Sequence, residues 1–362
     1  MKKIILWLSC ILVTTVSIAV YGNASPQQCD SAAQDSTINI IAWFNKHDTV
    51  TYWVSESSWK LNGSDTVRTA SFAMKVRVNV VDSTAEGYKM DYTFLEFPAT
   101  VLSDSASAIE KFQNEIVTKL GNKIVGTTVH FETDEYGSIT KYNNLGQIKK
   151  QAKSLFKEAI KEFSKIPEIQ ELKKIGFDVA DYAKNIDTDK LVDGYLEELN
   201  LLFMNHGQAM AIGEFTEHED ATDTSFENTT YSSVFVDEDD GAYHIVIDVT
   251  NILPRNELKS MVGNLVETLA NDSITDSFNE NFDTQVNVDG TYEDYLQTDY
   301  LVNGWPYAIV RQKSTMIGDR GKAKQTVITL DSYYFAPITG INPRYLNDDD
   351  NRQCRQTAIF SN

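Results

Sequence analysis

Cysteine is nearly absent from this chain of 362 residues, which holds three, at positions 10, 29 and 354. None has a CxxC partner, so a redox motif and a thiolate zinc site are both unsupported. Also missing are the GxSxG elbow, HExxH, the phosphate-cradling GxxxxGK[ST] and the dinucleotide GxGxxG. Two SxxK tetrads, Ser57–Lys60 and Ser154–Lys157, lack the SDN and KTG companions, and Lys157 falls on the solvated face of a helix pattern. Basic residues are outnumbered, 32 Lys plus Arg against 52 Asp plus Glu, for a net charge of -20. A surface of that sign repels phosphate backbones and anionic headgroups, which excludes nucleic acid as a partner. After residue 24 no apolar run is long enough to cross a bilayer as a helix, so no transmembrane anchor is expected in the mature chain.

The one long apolar run is at the N-terminus. Lys2 and Lys3 precede Ile4 to Val20, and Gly22-Asn23-Ala24 supplies small residues for a cut after Ala24. Residues 1–24 are therefore expected to be a signal peptide, with the remainder exported to the periplasm or beyond. Losing Lys2 and Lys3 takes the net charge from -20 to -22. Cleavage leaves Cys29 and Cys354, and two thiols in an oxidising compartment are expected to pair; the alternative is two free thiols in frayed tails.

The body, residues 25–362, reads as a single α+β domain, with a long curved antiparallel sheet or sheets packed on a helical middle. Even positions from Ala70 to Val80 are all apolar, while Ser71, Lys75, Arg77 and Asn79 lie between them, the period of a half-buried strand. Ala85-Glu86-Gly87 turns the chain into a second alternating run through Tyr88, Met90, Tyr92 and Phe94. Val50, Tyr52 and Val54 add a neighbour. Ile109 to Leu120 is helix-like, with Gly121 as its stop. Over about 144–206 the apolar spacing changes to threes and fours, most clearly from Leu145 to Phe163, with lysines on the other face. Strands return at Tyr231–Val236 and Tyr243–Val249 around an Asp-Gly turn, followed by a helix from Glu257 to Ala270 and three further strands. One sheet closing over helices, or two lobes around a helical middle, both satisfy that order.

Three sets of candidate residues stand out. Aromatics crowd the strand segments, and Trp53, Tyr92, Tyr295, Trp305 and Tyr307 are candidates for a ligand-facing surface, against the reading that they are core. Glu217, Glu219, Asp220 and Asp223 surround His218 in an acidic stretch; dense carboxylates suit a hard cation such as calcium, and the alternative is a solvated loop. The pairs Glu217 with Asp220 and Glu132 with Asp134 supply a general acid and base if burial separates them. His130 and His244 sit in strand patterns and read as ordinary sheet residues.

Phe131-Glu132-Thr133-Asp134-Glu135-Tyr136-Gly137, then Asn143 and an amphipathic helix, and later Asn303-Gly304-Trp305-Pro306 before a long strand, resemble segments of uncharacterised exported proteins of the Gram-negative envelope. The resemblance implies compartment and fold and assigns no activity. The function expected is that of a non-enzymatic envelope protein, a carrier or binding module for an apolar or glycan ligand with no obligatory cofactor. A secreted hydrolase with paired carboxylates and an assembly scaffold with an envelope-protein partner are the alternatives.

Overall fold

The computed structural model describes residues 37–103, 121–163 and 188–337, apart from 223–224, 238, 240 and 270–271, together with single residues at 114, 118, 165, 170 and 174. In chain order the elements are β1 (Thr37–Asn39), β2 (Thr49–Asn62), β3 (Asp65–Thr84), β4 (Gly87–Leu102), β5 (Thr128–Thr133) and β6 (Ile139–Tyr142). Helices α1 (Leu145–Phe163) and α2 (Thr188–Phe203) follow, then β7 (Ala209–Ala211), β8 (Gly213–Glu219), β9 (Asn228–Val236) and β10 (Tyr243–Leu253). Helices α3 (Arg255–Leu269) and α4 (Asp272–Gln285) precede β11 (Gly290–Tyr300), β12 (Pro306–Ile317) and β13 (Arg320–Tyr334).

Eleven strands form one curved antiparallel sheet in the order β6-β5-β4-β3-β2-β13-β12-β11-β10-β9-β8, and β1 pairs with β7 beside it. Each neighbour is the next strand in sequence except at one seam, where β2 meets β13. The seam joins what would otherwise be two lobes, so the single-sheet alternative is the one adopted.

Alternation sorts the side chains onto two faces. Val50, Tyr52 and Val54 lie across from Val78, Val76 and Met74, and Val78 and Val76 in turn oppose Tyr92 and Phe94 of β4. All of these are buried, as the period-2 reading of the sequence requires. This inner face carries the helices. Because β6 and β8 are opposite edges, the chain between them must cross the sheet, and it crosses on the apolar side: Ile148 and Ala152 of α1 and Leu196, Leu199, Leu202 and Phe203 of α2 join the same core cluster. Each large apolar side chain of this kind contributes about 1.5–3 kcal/mol on leaving water. Of the helix-rich middle expected over 144–206, α1 and α2 are described, and most of 164–187 lies outside the described residues.

An ion network pins α2 across the seam. Lys324 Nζ of β13 lies 2.6 Å from Glu56 Oε2 of β2 and 3.7 Å from Glu197 Oε2 of α2. Glu197 also takes Lys313 Nζ at 2.8 Å and Arg311 at 3.7 Å, and Arg311 forms a two-pronged pair with Asp294 at 2.9 and 2.7 Å. Burial raises the Glu197 carboxyl, but Lys324, Lys313 and Arg311 outweigh it and bring the group down to about 2. Its neighbour Glu198 is pushed up to about 8, by burial first and then by the charges of Glu56 and Glu197. With Glu198 protonated, the cations Arg311, Lys313 and Lys324 face the anions Glu56, Glu197 and Asp294, one for one.

A second knot gathers distant segments. Residues Ile40 to Asn45 run between the turn at 134–138, the end of α2 and the β11–β12 turn. Ala42 N–H donates to Tyr136 O at 2.8 Å, Trp43 N–H to Asn303 O at 3.0 Å, and Gly207 N–H to Ile40 O at 2.8 Å. Phe44 stacks on Trp305 with centroids 3.9 Å apart, and Phe203 and His206 meet Phe44 edge-on. His206 Nε2 lies 2.9 Å from Gly304 O, and burial lowers its imidazole to about 4, so the ring is neutral. Gly304 (φ 82°) and Gly137 (φ 102°) are required here: a Cβ would stand 2.4 Å from Ile41 O at the first and 2.6 Å from Ala42 Cβ at the second. The segments 131–137 and 303–306 thus meet at one place, through residues 42 and 43.

Two expectations are corrected. Gly121 does not stop a helix: residues 121–124 are helical, the turn falls at Gly126 (φ 85°), and most of 109–120 lies outside the described residues. Of the acidic stretch Glu214 to Asp223, read as a loop, residues 214–219 are strand β8, because they find a pairing partner in β9, while 220–222 follow it without regular structure and 223 lies outside the described residues. Helix α4 is an element the sequence reading does not name; Phe278 and Phe282, four apart, are buried on it. The signal peptide region, Cys29 and Cys354 lie outside the described residues.

Two outcomes follow from the core. Trp305→Ala should cost about 3–5 kcal/mol in urea unfolding through the void left against Phe44; wild-type stability in that variant would contradict the knot. For Glu198 the folded value is raised above the unfolded 4.5, so its contribution is complete below about pH 4.5 and is lost as pH rises towards 8. Glu198→Gln should therefore gain on the wild type, on the order of 3 kcal/mol, between about pH 5 and pH 9. A melting-temperature difference independent of pH would contradict the buried neutral carboxyl.

Candidate functional site

The face opposite the helices carries the other half of each strand's residues. Register fixes the rows on β9, β10 and β11: Phe235 opposes His244, which opposes Asp299; Ser233 opposes Val246, which opposes Gln297; Tyr231 opposes Asp248, which opposes Tyr295. Directly opposed side chains on one face are in contact range, so each row acts as a unit. A bulge in the β11–β12 pairing, between Asp299 and Tyr300, brings Tyr307 to this face, edge-on to His244 at 6.3 Å.

Hydrogen bonds tie the rows together. Tyr295 Oη donates to Gln297 Oε1 at 3.1 Å, and Gln297 Nε2 donates to both Asp299 oxygens at 3.2 and 3.0 Å. Asp299 Oδ1 lies 2.8 Å from His244 Nδ1; a carboxylate accepts, so the imidazole proton sits on Nδ1. The Phe235 ring stacks on His244 at 4.5 Å and 21°, and remains 52% exposed. Burial, then Glu293 and Asp294, raise Asp248, whose Oδ1 is enclosed without a hydrogen-bond partner. Burial also raises the Tyr295 phenol, assisted by Asp248 and Asp299.

The result is a lattice of aromatic rings, amides and carboxylates whose orientations are set by the sheet. Rings of this kind offer apolar surface to a planar C–H face, while the amide and carboxylate groups offer directed hydrogen bonds. Tyr295 and Tyr307 are two of the five aromatics singled out in the sequence. Trp53 lies on the same face but on β2, where Nε1 donates to Asp331 at 3.1 Å and Lys75 covers the ring at 5.2 Å. Tyr92 and Trp305 are corrected: both are fully buried in the core, where the inner-face alternation and the knot place them. Sequence reasoning misses His244, Gln297 and Asp299. The period-2 series Tyr295, Gln297, Asp299 is the available signal.

The remaining candidates do not converge. Glu217, Glu219 and Asp220 lie along or just beyond the exposed strand β8, Glu219 accepts from Asn228 Nδ2 at 2.8 Å, and Asp223 is outside the described residues. Among the described residues no group of three or more His, Cys, Asp or Glu is arranged to hold a metal ion. Asp134 Oδ1 accepts three backbone N–H groups from Tyr136, Gly137 and Ser138, and Glu132 accepts from Asn143. Both members of that pair are thus engaged in a turn and a cross-strand contact. Under α1, Phe94, Ile124, Val129, Ile148 and Ala152 enclose a cavity of about 10 Å³, room for one water. No described helix is long and apolar enough to cross a membrane.

No protein-family model matches the chain, and no curated protein matches it. Among solved structures, one of lipovitellin, described by its lipid–protein interactions, overlaps 82% of this chain at 10% identity and TM-score 0.36. This chain spans about a quarter (26%) of the lipovitellin chain. The attachment invasion locus protein Ail of Yersinia pestis overlaps 80% of this chain and all of its own at 6% identity and TM-score 0.15. A Rh. blastica porin mutant overlaps 78% of this chain and all of its own at 5% identity and TM-score 0.18. At these scores the likenesses transfer neither a site nor an activity.

Proposed function

We propose that this chain is an exported, non-enzymatic binding protein of the cell envelope whose outer sheet face takes a glycan. The observation that carries the reading is the lattice of Phe235, His244, Tyr295, Gln297, Asp299 and Tyr307, in which stacked rings stand beside a hydrogen-bonded amide and carboxylate. Of the two ligand classes open in the sequence, the apolar one loses ground. The inner face of β2 to β5, where an apolar ligand would lie, is already filled by α1 and α2 side chains. The carboxylates of Asp248, Glu293 and Asp299 favour a neutral or amino-bearing sugar over an acidic polysaccharide. Export itself rests on the leader chemistry of Lys2, Lys3 and the Ile4 to Val20 run.

A panel of neutral, amino-bearing and acidic oligosaccharides, titrated into the protein and followed by calorimetry, tests this. Binding is expected in the neutral or amino-bearing group, and Phe235→Ala with Tyr307→Ala should weaken it about tenfold or more with little change in melting temperature. Absence of binding across the panel, or binding that survives the double substitution, would overturn the assignment.

A further inference from the structure

We infer that strand β8 is a docking edge for an extended basic segment of another protein. The sheet ends at β8, which pairs with β9 on one side, Gly213 opposite Val234 through Glu219 opposite Asn228. Residues 214–220 are all exposed, so among the described residues nothing lies over the other side of the strand. An uncovered antiparallel edge presents N–H and C=O groups from alternate residues, a template for one more strand.

Charge selects which strand. Between Lys190 and Arg255 the sequence contains fourteen Asp and Glu and not one Lys or Arg. Strands β8, β9 and β10 fall in that interval; their acids are Glu214, Glu217 and Glu219 on the edge strand itself and Asp248 on β10, with no Lys or Arg to offset them. On β8 itself Glu214 points to the outer face, while Phe215, Glu217 and Glu219 point to the inner one, with Phe215 44% exposed. Pairing two copies through β8 would bring together two carboxylate-bearing strands with no Lys or Arg on either, and like charges across a ladder are destabilising. The same groups attract an incoming strand that carries Lys or Arg at alternate positions, and Phe215 accepts an apolar side chain between them. An unprotected edge normally invites self-association; here the acids reject the copy and admit the complement.

The test uses the full chain and three seven-residue peptides: alternating Lys and Val, the same with Glu for Lys, and the Lys–Val peptide with alternate backbone nitrogens methylated. The Lys–Val peptide should bind at low salt and protect the amides of 213–219 from hydrogen exchange. The Glu and N-methylated peptides should each bind about tenfold more weakly or worse. Glu214→Lys with Glu217→Lys, both exposed, should keep the wild-type melting temperature and lose binding by a similar factor. Phe235→Ala with Tyr307→Ala should leave peptide binding unchanged, which separates this edge from the proposed glycan face. Equal affinity for the N-methylated peptide would mean charge adsorption without strand addition and would overturn the inference. So would protection confined to other strands, or a dimer in sedimentation that Glu217→Lys alters.

Discussion

The pairing of β2 with β13 holds the rest of the structure together. These strands are separated by most of the chain, so their contact costs more closure entropy than any hairpin in the sheet. What offsets that cost is concentrated at the seam. Val54 and Tyr52 lie across from Ile328 and Leu330 on the inner face, Lys324 pairs with Glu56, and Tyr52 Oη donates to Pro306 O at 2.9 Å. Helix α2 lies over the same line through Glu197, and the aromatic knot of Phe44, Trp305 and Phe203 stands at its end. Without the seam, β2–β6 and β8–β13 are two separate meanders, and the helices that join β6 to β8 have no single surface to cross.

That arrangement explains why the two faces differ in chemistry. The inner face must bury helices, and its even-numbered residues at 50–54, 74–80 and 88–94 are accordingly apolar. The outer face has no such obligation, and on β9 to β11 it holds rings, amides and carboxylates in fixed rows. A lattice of this kind is rigid because strand register, not loop geometry, sets its spacing. Glu214, Glu217 and Glu219 on β8 and Asp248 on β10, with no Lys or Arg on β8, β9 or β10, then give the exposed edge and the face beside it one sign.

Much of the fold is legible from period alone. Val76, Val78 and Val80, or Leu145 to Phe163, announce their faces because strand and helix repeats differ. Long-range partners are not legible, since nothing in Val54 names Ile328 as its neighbour. For the same reason Trp305 and Tyr92 present themselves as surface candidates in the sequence. Aromatics suit a core and a binding face equally, and only the register decides. His244 looks ordinary because its chemistry comes from Asp299, 55 positions away. The acidic stretch reads as a loop because polar residues on an edge strand need not alternate with apolar ones.

Native-state hydrogen exchange across the sheet is the measurement that bears most directly on the seam. Amides of β2 and β13 at 50–54 and 326–330 should open with the same free energy as those of β4 and β11, because breaking the seam breaks both halves. If β9–β12 exchanged at a free energy of their own while β2–β5 stayed closed, the sheet would be two independent lobes, which contradicts a fold closed by one seam.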